Sequence, residues 1–199
     1  MKKIAVMALA AVMAAGMAVP TMAADMSSDP ITVASREDGS GTRGAFIELF
    51  GVEEKDADGN KVDNTEEAEI TNNTAVMMST VAGDVDAIGY ISLGSLNDSV
   101  KAVKIDGVEA TAENIKSGEY KVSRPFNIAT KGDVSKVAQD FINYIMSPDG
   151  QKVVEGNGYI AIDDQKEFTS NNAKGKIVVA GSSSVTPVME KLSEAYQKI

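Results

Sequence analysis

The chain has 199 residues, no cysteine, no histidine, no tryptophan and a formal net charge of -10. Without His or Cys there is no Ser-His-Asp or Cys-His nucleophile, none of the usual zinc sites and no disulfide, so the fold must rest on its own core. The acidic balance argues against nucleic acid or an anionic membrane as partner, but not against a small anionic ligand, because a site acts through local dipoles and one or two cations.

In chain order, Lys2 and Lys3 precede an apolar run from Ile4 to Val19, then Pro20 and the small residues Thr21, Ala23 and Ala24. This reads as a secretory signal over residues 1–24, cleaved after Ala23 or Ala24; the run is Ala-rich and shorter than the roughly 20 residues of a spanning helix. The expected product is an exported chain, periplasmic or extracellular, with no cysteine for a lipid anchor.

"ITVAS" (Ile31 to Ser35) predicts a strand, followed by a Gly-rich loop and a helix from about Thr42 to Phe50. The acidic stretch after it turns at Asp58-Gly59-Asn60, which predicts a surface hairpin. Thr74 to Val81 reads as helix, "AIGYISL" (Ala87 to Leu93) as a buried strand, and "AVKIDGVEAT" as a hairpin turning at Asp106-Gly107. Tyr120 to Thr130 is extended, with Pro125 favouring an edge or crossing position. Val134, Val137, Ala138, Phe141 and Ile145 recur at helical spacing, and Ser147-Pro148 caps a second helix that ends at Gly156-Asn157-Gly158. "YIAI" (Tyr159 to Ile162) predicts a short strand and Asp163 to Lys176 a polar linker. Last come a strand at Ile177 to Ala180, a small-residue loop at Gly181 to Thr186, and a helix opened by Pro187 with Val188, Leu192, Ala195 and Ile199 on its apolar face. Strands alternating with helices make this an α/β chain whose two ends repeat one design: strand, Ser/Gly loop, helix.

The two loops carry the chemistry. A helix N-terminus offers unpaired N–H groups and a partial positive charge, and glycines let an anion approach that backbone. Ser40, Gly41 and Thr42 supply N–H groups and two hydroxyls; Arg36 adds a planar two-pronged donor that Asp38 can hold in place. The stretch from Gly39 to Gly44 has the G-x-G-x-x-G spacing of a dinucleotide fold, but the acidic residues that follow, Asp58 and Asp63, lie in a polar turn-rich stretch. Ala45 stands where a Walker lysine should be, and Asp38 where a nucleophile elbow needs Gly. A calcium loop starting at Glu54 fails at its twelfth position, Thr65. Met77 and Met78 read as helix core, so no metal or cofactor is expected. A plain turn before a helix remains the bland alternative for the first loop. For "GSSSVTP" it is a simple N-cap. Two such loops in one chain favour a shared oxyanion.

"SREDGSGTRGAF", "AIGYISL", "SRPFNIAT", "FINYIMSPDGQKVVEGNGYIAI" and "IVVAGSSSVTPVMEKLSEAY" resemble the phosphate-binding protein of ABC-type phosphate importers. The resemblance implies a type II periplasmic-binding fold: two α/β lobes joined by crossing strands, which trap dehydrated phosphate and hand it to a membrane permease. It implies Arg36 as the phosphate-binding arginine, Asp38 as its salt-bridge partner, and donors at Ser40, Gly41, Thr42, Ser183 and Ser184, with Val185 the alternative if the second loop is shifted by one. In the family the element resembling "GSSSVTP" follows directly after the signal, whereas here it comes last. The segment with the aspartate that accepts the proton of hydrogen phosphate has no counterpart. The expected organisation is a binding lobe at 25–122, a crossover and helices at 123–162, a linker at 163–176 and the start of a partial second lobe at 177–199. Reduced affinity and poor selection of phosphate over sulfate would follow. The alternatives are a fragment that associates with itself or a complementing chain, and, less favoured without His, a carboxylate-based phosphatase-like enzyme.

Overall fold

The computed structural model describes residues 30–63 and 67–199; the predicted signal at residues 1–24 and Thr65 lie outside them. The described chain runs β1 (Thr32–Arg36), α1 (Gly41–Phe50), β2 (Glu53–Lys55), β3 (Lys61–Asp63), β4 (Glu69–Thr71), α2 (Thr74–Gly83), β5 (Ala87–Ile88), a 3-10 turn (Leu93–Ser95), α3 (Ala112–Lys116), α4 (Lys136–Ile145), α5 (Pro148–Gly156) and α6 (Thr186–Tyr196). β1 is central in a parallel sheet of order β4-β1-β5, while β2 and β3 form the expected acidic hairpin. The expected α/β class is what the chain adopts.

The steps from β1 to β4 and from β4 to β5 cross the sheet in opposite directions, so right-handed connections put α1 and α2 on opposite faces. The contacts agree. On one face Met77 of α2 packs toward Ala34, and both are 1% exposed. A Cβ added at Gly89 would lie 2.5 Å from Met77 Sδ, 3.0 Å from Val81 Cγ2 and 3.6 Å from Ala34 Cβ, so that glycine lets α2 pack closely with Met77 as placed. On the other face Phe46 of α1 stacks on Tyr90 at 4.2 Å, and the Tyr90 hydroxyl lies 2.8 Å from Ser35 Oγ. The Gly-rich loop therefore leaves the carboxyl end of the central strand, where open α/β sheets bind ligands.

A second core joins α4 and α6 through Phe141, Tyr144, Ile145, Val188 and Leu192, with Val153 and Val154 of α5 packed against it. The Ser147-Pro148 start of α5 is as expected: Ser147 Oγ accepts from Gly150 N (3.2 Å) and donates to the Tyr144 carbonyl (2.7 Å). A Cβ at Gly150 would run into the carbonyls of Tyr144 and Ile145, which are backbone and cannot swing away. Gly150→Ala should destabilise the fold by about 1–3 kcal/mol, measured by urea denaturation, despite alanine's better helix propensity.

The polar segment 163–176 is laced down and not a free tether. Asp140 of α4, 1% exposed, accepts from Ser170 Oγ, Asn171 N and Tyr196 Oη, each at 2.8 Å. Burial pushes its carboxyl up, but the donated hydrogen bonds outweigh this and hold it below the usual aspartate value.

Several expected strands are not formed. Ala87 to Leu93 pairs only at Ala87 and Ile88, because the chain turns away after Gly89. Tyr159 to Ile162 and Ile177 to Ala180 run without ladder pairing, because neither is laid along the open edge of β4 or β5, and the extended stretch Tyr120 to Thr130 pairs with no described strand either. Val178 and Val179 are exposed, and Ile199 lies past α6 and exposed, off the apolar face it was expected to share.

Candidate anion-binding site

The site forms where the loop after β1 meets the loop before α6. Arg36, the last residue of β1, is 2% exposed. Its backbone N–H donates to Tyr90 Oη (3.1 Å), so the stack of Tyr90 on α1 also pins the end of the strand. Its guanidinium donates to both carboxylate oxygens of Glu37 (Nε to Oε2 2.8 Å, Nη2 to Oε1 3.0 Å) and, through Nη2, to Ser183 Oγ (3.0 Å). Those hydrogen bonds hold the Glu37 carboxyl below its ordinary value.

The expected salt bridge from Arg36 to Asp38 is not made. Asp38 instead accepts from Arg43 Nη1 at 2.6 Å, with its own side chain 98% exposed. The cause is the turn at Asp38-Gly39, where Gly39 has φ of 79°: it carries Asp38 outward over the first turn of α1. Glu37, still adjacent to the strand end, is the carboxylate left within reach of Arg36.

Ser40 caps α1, accepting from Arg43 N at 3.3 Å. Thr42 faces the second loop, its hydroxyl 3.0 Å from Ser184 Oγ and 3.5 Å from Ser182 Oγ, and the two serine hydroxyls are 2.8 Å apart. Gly41 lies against the same loop, where an added Cβ would be 3.3 Å from Ser182 Cβ. The structure thus brings Arg36, Gly41, Thr42, Ser183 and Ser184 together, with Ser40 engaged at the cap of the same helix. Val185 is the residue before α6 and makes no side-chain cap.

Sequence reasoning missed five neighbours. Ser182 stands in the same serine run and was one position away. Thr74, at the start of α2, has its hydroxyl 3.2 Å from Ser183 Oγ. Tyr159 donates to the Ser184 carbonyl at 2.7 Å and its ring lies against Gly94, so it sets the height of the second loop. Arg124 Nη2 donates to the Gly41 carbonyl. Glu37 was passed over for Asp38. An open cavity of about 640 Å³ flanks Ser183, lined in part by Asn73, Thr74, Ser95 and Thr186.

Chemically this is a cluster of rotatable hydroxyls, a buried arginine and the starts of α1, α2 and α6. Ser183 Oγ already accepts from Arg36, so its own proton is free to point at Thr74 or at an anion. The hydroxyls of Thr42, Ser182 and Ser184 satisfy one another and can turn to a tetrahedral oxyanion by rotating O–H bonds alone. Among the described residues no group of three or more His, Cys, Asp or Glu is placed to hold a metal ion.

A family model described as the PBP superfamily domain matches residues 2–149. The chain belongs to the PBP superfamily. It is 60% identical over 175 residues to "Phosphate-binding protein PstS 2" of Streptococcus agalactiae, covering 87% of this chain and 60% of that relative. The protein of the same name from Streptococcus pneumoniae is 52% identical over 174 residues, covering 86% of this chain and 60% of the relative. The chain therefore spans about 60% of the length of the curated relatives it matches. Among solved structures, a phosphate ABC transporter phosphate-binding protein from S. pneumoniae superposes with a TM-score of 0.67 at 52% identity, over 84% of this chain and 66% of that one. A phosphate ABC transporter substrate-binding protein with bound phosphate from Clostridium perfringens gives 0.58 at 42% identity, over 67% and 53%. The resemblance drawn from the motifs is borne out by these superfamily relatives, each of which is named a binding protein.

Proposed function

We propose that this chain is the extracytoplasmic solute-binding component of an ABC-type importer and that its ligand is inorganic phosphate. The observation that carries the reading is the meeting of Arg36 and Thr42 with Ser183 and Ser184, 3.0 Å apart in each pair and drawn from opposite ends of the described chain. Arg36, Ser40, Gly41, Thr42, Ser183 and Ser184 would hold the anion without covalent chemistry. An export signal at 1–24, a binding lobe at 25–122, a returning segment at 123–162, a linker at 163–176 and a loop-helix element at 177–199 complete the proposal, with a membrane permease as partner. The names of the relatives support both ligand and partner.

Hydrogen phosphate differs from sulfate by one proton, which needs an acceptor. Each Glu37 oxygen already accepts from Arg36, and the other side-chain acceptors of the two loops are serine and threonine hydroxyls, a weak basis for discrimination. Calorimetric titration of the chain should show phosphate binding, with sulfate competing at no more than a modest disadvantage. Absence of heat with either anion from folded protein would overturn the reading.

A second reading, binding only alongside a complementing chain, is favoured by the sheet. Val33, Ile70 and Ile88 share one face by register and stay 47–49% exposed, whereas parallel sheets ordinarily bury both faces. Sedimentation at rising concentration separates the two: a monomer that binds phosphate supports the first reading, and binding confined to an oligomer the second.

A further inference from the structure

We propose that Arg124 is a specificity-determining residue of this site, selecting the doubly charged form of the oxyanion at its mouth. The inference rests on the phosphate-binding reading and adds a residue to it. Three arginines stand around the loop after β1. Arg36 is neutralised by Glu37, and Arg43 is paired with Asp38. Arg124 is exposed, and no carboxylate among the described residues pairs with it. It is held to a backbone carbonyl, that of Gly41, which positions the guanidinium without cancelling its charge. Arg124 Nη2 lies 3.7 Å, and Ser182 Oγ 3.5 Å, from the point a Cβ on Gly41 would occupy, so this cation stands beside the cluster of hydroxyls.

The consequence is electrostatic. With two of its three arginines matched by carboxylates, the loop offers little net positive charge to distinguish a dianion from a monoanion. Arg124 supplies the unmatched charge, in a chain whose formal balance of -10 otherwise repels anions. Its remaining N–H donors are planar and suited to two oxygens of one anion. Phe126, two residues on, packs against Tyr159 at 5.5 Å between ring centroids, and Tyr159 in turn holds the Ser184 carbonyl. The segment carrying Arg124 is thereby tied to both loops.

The loop that Arg124 contacts carries Arg36, Glu37, Asp38 and Arg43, and Tyr120 and Lys121 precede it on its own segment. Glu37 is held ionised by Arg36 below its ordinary range, so a change of affinity between about pH 5.5 and pH 8 reports the second ionisation of phosphate. The test is calorimetric titration of the full chain, Arg124→Gln and Arg124→Lys with inorganic phosphate at both pH values and low salt. The parent should bind more tightly at the higher pH. Arg124→Gln should be about fivefold weaker there and nearly unchanged at the lower pH, while Arg124→Lys keeps most of the difference. An equal loss at both pH values would assign Arg124 to holding the loop in place and overturn the proposal. So would parental affinity and pH dependence in Arg124→Gln. Failure of the parent itself to bind phosphate would overturn the underlying reading and this inference with it.

Discussion

Arg36→Ala is expected to weaken phosphate binding by roughly 10- to 100-fold, the effect of losing a charge-assisted contact to an anion. Arg36 is 2% exposed and is the cation that joins the two loops, through Nη2 to Ser183 Oγ at 3.0 Å. Its loss would also release Glu37, whose side chain is 36% exposed, so water can take over the carboxylate and the fold should lose little. Arg36→Lys keeps the charge but not the fork that serves both Glu37 oxygens and Ser183, and should fall between alanine and the parent. Calorimetry with phosphate measures the first effect and thermal unfolding the second. Parental affinity in folded Arg36→Ala would remove Arg36 from the site. Because the Glu37 value is depressed in the folded state, the stability from this pair is present above the ordinary glutamate range and is lost as pH falls through the lower folded value. Surface screening keeps that contribution small.

Asp140→Ala should be the most damaging substitution to stability, by about 3 kcal/mol in urea denaturation. It would strand three donors, Ser170 Oγ, Asn171 N and Tyr196 Oη, around a site that is 1% exposed. It would also loosen Ser170, Asn171 and the end of α6 from α4. Tyr196→Phe removes a single hydrogen bond while keeping the ring contact with Phe141 at 5.0 Å, and should cost about 1 kcal/mol. The node also shapes the pH profile from both sides. The depressed Asp140 contributes stability that is present above about pH 4 and lost as pH falls below its folded value. Burial and the neighbouring Asp140 push Tyr196 up to about 12, so its contribution is full below pH 10 and lost as pH rises toward 12. Stability of Asp140→Ala that matches the parent at neutral pH would show that α6 is held by its apolar contacts, Val188, Leu192 and the Tyr196 ring, without the hydrogen bonds.

The chain declares its helix starts openly because a cap is a local event. Ser40, Ser135 and Ser147 each accept from the backbone N–H three residues on; of these only Ser147, followed by Pro148, reads as a cap from the sequence, while the apolar spacing gives α4 and the Gly-rich loop gives α1. The turns at Asp58-Gly59 and Asp106-Gly107 were legible for the same reason: Gly59 and Gly107 have φ of 83° and 81°, which few residues but glycine adopt. The two loops proposed to meet an anion were conspicuous as well, since hydroxyls, glycines and Arg36 lie within a few residues of a helix start.

Other features required the fold. Tyr159 to Ile162 and Ile177 to Ala180 have strand composition, but a strand exists only where a partner edge is offered, and that is decided elsewhere in the chain. Whether Arg36 takes Glu37 or Asp38 turned on one backbone turn. Arg124 reaches Gly41 across 83 residues, and Asp140 reaches Tyr196 across 56. By itself the sequence determined which short segments become helices, turns and Ser/Gly loops, because those choices depend on neighbours three or four residues apart. Only the tertiary structure decided which charges stay unmatched and which loops meet, because side chains distant in the chain settle those matters by packing together.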